Sequence, residues 1–440
     1  MNDRNENWPN DSLVFSARTD VGMRRSNNQD SYCVSPAPTP RLWRSRGHLF
    51  VVADGMGAHA AGELASQIAT TVVSQSYLKR TDERPSDALR NAILEAHKTI
   101  QQRGQSDEAF HDMGTTCDAL ALTPEGAYVG HVGDSRVYRL RNGVFEQITF
   151  DHSLVWEVKR YPDLHTQYRR LDSIPKNVIT RSLGPTERLE VDIEGPFSTA
   201  PGDVFLLCSD GLSGQFEDDE IGQILELFQP EEATEALINF ANLRGGSDNI
   251  TVVVARVKSN PSSNDEEQNV EKNNKVYEKK KPISGTAWTV LGLACATLFV
   301  ALIVGLARRF DQTGTIVLVI SLLASLTCGS LFCYFARKTL FASNKRETSQ
   351  ERLGAGPYSR VSAEPTLLFA EKVEDVCSQL CDAVRAQPVF EPDWDGVSKA
   401  RNWAVESLKK KDFAASLRAN ISVVNYIMRE LRKIKAPNKG

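Results

Sequence analysis

Apolar positions across residues 12–257 come in short runs separated by turn signals and by two longer stretches of helical period. The runs predict strands at 47–53, 117–123, 127–131, 137–141, 203–208 and 250–257, with amphipathic helices at 63–78 and 86–102. Several of these strands follow one another across short turns, and they outnumber the helices that could serve as crossovers. The expected fold class is therefore α+β, two antiparallel β-sheets in a sandwich flanked by helices, and not a doubly wound parallel sheet.

The pattern changes at residue 258. Residues 258–282 are polar, mixed in charge and nearly free of apolar side chains, the composition of a disordered linker. Residues 283–307 and 312–336 each run without a charged residue and exceed the roughly 20 positions that span a bilayer. They predict a two-helix transmembrane hairpin over 283–336. Lys275, Lys279, Lys280 and Lys281 precede it, and Arg337, Lys338, Lys345 and Arg346 follow it. Only Arg308 and Arg309 mark the connecting turn, so both long ends are expected in the cytoplasm. A second polar linker, 337–364, leads to a small all-α C-terminal domain over 365–436. There Phe369, Val373, Val376, Leu380 and Val384 recur at helical spacing, as do Phe413, Leu417, Ile421, Val424, Met428 and Leu431. Asp395 is a plausible N-cap between them. Residues 400–426 faintly resemble one tetratricopeptide hairpin turning at Lys411-Asp412-Phe413, but a single repeat cannot bury its own core. A packing or oligomerising bundle is the plainer reading, a peptide-binding module the sharper one.

Composition adds limits. A formal net charge of -4 gives no push toward nucleic acid, and the 8 cysteines show neither zinc-ligand pairing nor a disulfide framework. A reducing compartment follows, and the polar first residues do not read as a signal peptide.

The chemistry gathers at the ends of the apolar runs. LFVVADGMGAHAAGE carries Asp54 where a buried strand meets Gly55, DVFLLCSDGL repeats the device at Asp210, and SDNITVVV places Asp248 just ahead of a strand. With Asp30 and Asp134 these make five aspartates, and Arg25 lies close to Asp30 in sequence. Carboxylates without His or Cys partners suit hard divalent cations, Mg²⁺ or Mn²⁺, and would repel one another without them. Two such ions can turn a water into a nucleophile at neutral pH, while a guanidinium grips a phosphate. Hydrolysis of a phosphate ester is the chemistry these groups share. Each piece alone has an ordinary reading, since a lone Asp-Gly is usually a turn and GDS or SDN usually a cap.

Eight blocks in order sharpen the picture: SARTDVGMRRSNNQDSY, VVADGMGAHAAGE, MGTTCDALAL, GHVGDSRVYRL, ITFDHS, NVITRSLG, LLCSDGLS and GGSDNITVVVA. Over residues 12–257 the chain resembles the bacterial branch of the metal-dependent protein phosphatase 2C (PPM) family. The resemblance implies the same two-sheet sandwich and hydrolysis of phosphoserine and phosphothreonine by a metal-bridging hydroxide. It implies two Mn²⁺ or Mg²⁺ ions bridged by Asp54, with the carbonyl of Gly55, Asp210 and Asp248 on the first ion and Asp30 on the second. Asp134 with Asp210 falls where bacterial members hold a third, weaker ion, and Arg25 where the family grips phosphate. Asp54 and Arg25 would carry catalysis. Met56 stands where eukaryotic relatives have a histidine; His59 is then a possible general acid, and a metal-bound water protonating the leaving serine is the alternative. Gln29 and Ala58 are mild departures, and 154–176, where the family has a mobile flap, matches poorly. His131 is expected to face a strand neighbour and His152 to order its loop. Together these readings predict a multi-pass protein of the cytoplasmic (inner) membrane with catalytic and C-terminal domains in the cytoplasm. It would act on phosphorylated proteins, Ser/Thr kinases or their substrates. The alternative is a pseudo-phosphatase that binds phosphoproteins as a scaffold.

Overall fold

The structure, a computed structural model, describes residues 12–57, 60–160, 175, 178–258, 353–387 and 392–435. Residues 12–258 form the expected sandwich. One sheet runs in the order β1 (Leu13–Asp20), β11 (Ile250–Val257), β10 (Val204–Cys208), β7 (Arg136–Arg141), β8 (Val144–Gln147) and β12 (Ser359–Ser362). The other runs β2 (Asp30–Ser35), β3 (His48–Met56), β5 (Cys117–Thr123), β6 (Gly126–Val132) and β9 (Asp192–Phe197), with β4 (Gly114–Thr115) beside β3. Every named ladder is antiparallel.

Strand period 2 explains why the central runs are apolar throughout. Phe50 and Val52 enter the interior between the sheets with Leu120, Leu122, Phe205, Leu207 and Val253. Their neighbours Leu49, Val51 and Ala53 face outward onto α2 (Ala61–Lys79) and α3 (Pro85–Ser106). The opposite sheet is covered by α6 (Asp218–Leu227) and α7 (Pro230–Leu243). Between these lie three short helices: α1 (Pro40–Arg46), α4 (Leu154–Arg160) and α5 (Asp210–Ser213). The sequence pattern does not pick out β1, β2, β4, β8, β9 or β12; of these β1 and β2 are edge strands with mixed burial, so their side chains carry little apolar signal, and β4 and β8 are only 2 and 4 residues long.

Two expectations need correction. Strand β3 does not break at Asp54 but continues to Met56, because Asp54 pairs across the ladder with Asp30 and Gly55 and Met56 pair with β4. The stretch read as linker, 337–364, ends earlier than its polar composition suggests: β12 adds to β8 as an edge strand, held by backbone bonds that are blind to side chains.

After β12 come α8 (Leu367–Arg385), α9 (Trp394–Lys409) and α10 (Phe413–Lys435). They are helical as expected, yet they are not a free-standing bundle. Phe369, Val373, Cys377, Ile421, Val424 and Ile427 share one core with Ile221, Leu237 and Phe240 of α6 and α7. Polar contacts lock the register: Asn239 donates to Asn425 at 2.9 Å, Arg429 pairs with buried Glu235 at 2.6 Å, and Lys372 with Glu220 at 2.9 Å. The cap of α9 is Asp393, which accepts from Gly396 at 2.9 Å, and not Asp395, which sits in the first turn. Lys411 adopts φ 62° between α9 and α10, so the helical turn lies where expected. Among the described residues no helix is long and apolar enough to cross a membrane. The two apolar runs at 283–307 and 312–336 lie outside the described residues.

Candidate active site

Asp54 is held from three sides by its own backbone. Its amide donates to Thr116 Oγ1 at 2.9 Å, while its carbonyl accepts from Thr115 Oγ1 and from the Thr116 amide, both at 2.9 Å. Thr116 in turn bonds Ser135 at 2.8 Å, tying Asp54 to the turn that carries Asp134. Gly55 sits where only glycine fits, since a Cβ there would meet the Gly62 carbonyl oxygen at 2.0 Å. That close approach brings the start of α2 against the strand. Asp30, opposite Asp54 on β2, receives Ser209 Oγ at 2.7 Å, and Ser209 precedes Asp210 at the end of β10.

The loop carrying Arg25 is fastened by Asn249. The Gln29 amide donates to Asn249 Oδ1 at 2.8 Å, and Asn249 Nδ2 donates to the carbonyls of Val21 and Asn27, both at 2.9 Å. Gly22 is left-handed, with φ 81°, and a Cβ there would meet the Asp248 carbonyl oxygen at 2.1 Å. So the loop lies flat on 246–248, and Arg25 donates to Asp248 Oδ2 at 2.7 Å from a half-exposed position.

The electrostatics show how closely the carboxylates gather. Burial, then the charges of Asp30, Asp210, Asp134 and Asp248, push the Asp54 carboxyl well above the ordinary range. Burial raises Asp30, and Asp210 and Asp248 add to the effect against hydrogen bonds from Ser209 and Thr251. Asp134 is pushed up to about 7 by burial and then by Asp210 and Asp151. Asp210 is raised by burial and Asp248, with the bond to Asp54 and the charge of Arg25 opposing. All five aspartates and Arg25 are thus brought together from β2, β3, the β6–β7 turn, α5 and the β11 approach.

Asp30 Oδ1, Asp134 Oδ1 and Asp210 Oδ1 are buried and accept no hydrogen bond. Orphaned acceptor oxygens on neighbouring carboxylates fit hard cations. Among the described residues no three His, Cys, Asp or Glu side chains close on one point tightly enough to hold an ion by themselves. Mg²⁺-like ions do not require such a cage, because they take one or two carboxylates and complete their shell with carbonyls and water.

The matching model is Protein phosphatase 2C, over residues 24–242. A relative named putative protein phosphatase 2C-type, from Streptococcus pyogenes, is 36% identical over 56% of this chain and 98% of its own length. Protein phosphatase PhpP of Streptococcus pneumoniae is 35% identical over 55% of this chain and 96% of its own. Serine/threonine phosphatase stp of Listeria monocytogenes is 35% identical over 54% and 93%. This chain belongs to the protein phosphatase 2C family.

It is accordingly a protein-serine/threonine phosphatase. Nearly the whole length of each relative is used up in the match, so the phosphatase's α8–α10 have no counterpart there. His131 is fully buried opposite Asp118, bonded to it at 2.7 Å and to the Phe150 carbonyl at 2.7 Å, a strand neighbour's role. His152 does order its loop: it accepts from the Gly133 amide at 3.1 Å and pairs with Asp192 at 3.1 Å. Burial lowers it to about 4, so the ring is neutral. His59 lies outside the described residues, as does the flap sequence beyond α4 except Pro175. The sequence reading missed Thr116, Ser135, Ser209 and Asn249. All four stand beside an aspartate or inside a quoted block, and that adjacency was the signal available.

Proposed function

We propose that the five aspartates are the ligands of two divalent ions, with Asp134 serving a weaker third, and that Arg25 grips the substrate phosphoryl group. The observation that carries this is the set of three buried, donor-free carboxylate oxygens on Asp30, Asp134 and Asp210. Asp54 and the Gly55 carbonyl would hold the bridging position, Asp210 and Asp248 the first ion and Asp30 the second. The bound ions would acidify a water and neutralise charge on the phosphoryl oxygens.

The chain's own groups do the rest. Thr115 and Thr116 fix the Asp54 backbone, which sets the point from which its carboxylate projects. Ser209 leaves Asp30 one free oxygen by taking the other. Asn249 holds the Arg25 loop, and the guanidinium spends one nitrogen on Asp248 while its exposed edge stays open to a phosphoserine or phosphothreonine ester. A pseudo-phosphatase would be expected to have lost such ligands, and this chain keeps all five.

The phosphatase is also read as anchored in the cytoplasmic membrane by 283–336. Two uncharged runs of spanning length support this. So does the return of the chain: β12 and α8–α10 belong to the same compact unit as residues 12–258. Any membrane segment between them must therefore cross an even number of times.

Phosphate release from a phosphothreonine peptide by the full chain tests the chemistry, with Mn²⁺, with chelator, and with Asp210→Asn. Release that needs Mn²⁺ and disappears in the variant is expected. Release that survives both would end the metal reading. For the anchor, recovery of the full chain in the supernatant after detergent-free lysis and high-speed centrifugation would remove the membrane claim.

A further inference from the structure

The segment that returns after residue 352 does more than pair with β8. Leu353 exchanges backbone bonds with Gly195 of β9 in one sheet (3.1 and 2.6 Å), and Tyr358 donates its amide to the Gln147 carbonyl of β8 in the other at 2.8 Å. Between these points it wraps the buried carboxylate of Glu194. That group accepts from the Gly356 amide at 3.0 Å, the Tyr358 hydroxyl at 2.7 Å and the Ala355 amide at 3.4 Å. The wrapping is built for this carboxylate. A Cβ at Gly354 would stand 2.0 Å from Glu194 Oε2, and one at Gly356 3.2 Å from it and 2.4 Å from the Ile148 carbonyl oxygen.

The Tyr358 ring then packs edge-on to Phe150, centroids 5.3 Å apart, and Phe150 packs edge-on to Trp156 of α4 at 5.2 Å. Arg160, at the end of α4, lies over the Phe150 ring at 4.8 Å. The next three residues continue toward the aspartates. The Phe150 carbonyl accepts from His131, Asp151 takes Arg136 in a paired bond, and the His152 amide donates to the Gly133 carbonyl at 2.7 Å while its ring accepts from the Gly133 amide. Gly133 adjoins Asp134. One loop, 150–153, therefore has the returning segment on one side and the Asp134 turn and α4 on the other.

We propose that Tyr358 is a positioning residue for the reaction: through Phe150 it sets loop 150–153, and through that loop α4 and the Gly133–Asp134 turn. The role of Asp134 rests on the reading above, whereas the physical coupling does not. In this arrangement the part of the chain beyond the apolar runs reaches the active site without touching substrate. Docking of that part is what keeps the site in its working shape.

The test uses the full chain in detergent, with Tyr358→Ala, Tyr358→Phe and Arg360→Ala. Arg360 lies two residues on, in β12, and pairs with Glu146 at 2.9 Å from an exposed position. Amide hydrogen exchange is followed over 150–160, and KM and kcat are measured on a phosphothreonine peptide with Mn²⁺. Tyr358→Ala is expected to speed exchange over 150–160 by about 10-fold and raise KM about 5-fold with kcat within about twofold. Tyr358→Phe keeps the ring on Phe150 and should stay within about twofold of wild type in both readouts, as should Arg360→Ala. Unchanged exchange in Tyr358→Ala overturns the proposal. So does equal loosening by Arg360→Ala, or faster exchange with KM unmoved. Should Tyr358→Ala fail to fold, Tyr358→Leu takes its place. Wild type inactive on every peptide would sink the assigned chemistry, while the exchange arm would still decide the coupling.

Discussion

At the strand-end site, Asp30, Asp134 and Asp210 each keep a buried carboxylate oxygen with no donor. Where the C-terminal segment packs against the sandwich, buried carboxylates are treated in the opposite way. Glu194 is wrapped by two amides and a tyrosine hydroxyl, Glu220 by Arg244 and Lys372, and Glu235 by Arg429 and Arg432. Leaving an anion unpaired in the interior costs several kcal/mol unless a partner or an ion compensates it; Asp118, whose Oδ2 also lacks a donor, has His131 on its other oxygen. The satisfied glutamates hold the structure together. Asp30, Asp134 and Asp210 are the unsatisfied aspartates that gather at the proposed metal site.

This contrast can be broken most forcefully at Asp54. Asp54→Asn should lower kcat by roughly 10³-fold. Because the change removes one of several repelling buried carboxylates, it should also raise the melting temperature of the chelated protein by a few degrees. A variant that loses both activity and chelated-state stability would place Asp54 among the structural carboxylates instead.

His48, at the other end of β3, sharpens the contrast with a buried group satisfied only when neutral. Its Nδ1 accepts the Ala37 amide at 2.9 Å, and burial lowers its pKa to about 4. The native state therefore binds fewer protons than the unfolded chain between about pH 4 and the ordinary histidine range near 6.5. The part of the stability that depends on His48 is complete above that window and falls by up to about 3 kcal/mol as pH drops through it, against the raised site aspartates, which act in the opposite sense. Urea melts of wild type and His48→Asn across pH 4 to 7 would check this, the stability difference between wild type and variant shrinking as pH falls.

Arg25→Ala should lower kcat/KM by roughly 10- to 100-fold, the worth of a lost charge-assisted contact to phosphate. As an exposed pair with Asp248, it should change chelated-state stability by no more than about 0.5 kcal/mol. Peptide kinetics and thermal melts on the same preparation separate the two effects. Arg429→Ala should do the reverse. It strips a partner from buried Glu235 while Arg432 remains near, so a loss of about 1–2 kcal/mol is expected with kcat/KM unchanged at 25 °C. A drop in kcat/KM there would show that the tail interface feeds the site along a second route.

Much of this was readable along the chain. The runs at 117–123 and 250–257 are strands with the expected bounds, because central strands buried on both faces must be apolar throughout. Asp54, Asp210 and Asp248 were legible because each interrupts or borders such a run. Edge strands β1, β2 and β12 were not, since a ladder's backbone bonds leave no mark on side chains that face solvent. Helices α6 and α7 carry a helical period, yet nothing in that period says what lies on their outer side.

The sequence by itself determined the family and the sandwich and pointed to the five aspartates and Arg25 that the fold brings together, because those depend on local pattern and on motif order. Only the tertiary structure decided which carboxylates are left without donors and that Asn249 and Ser209 hold the site's loops. It alone showed that β12 and α8–α10 pack against the sandwich and its helices instead of trailing behind them. Those facts rest on contacts between positions scores to hundreds of residues apart, such as Glu194 with Tyr358 and Asn239 with Asn425. Such pairings have no spacing along the chain from which they could be read.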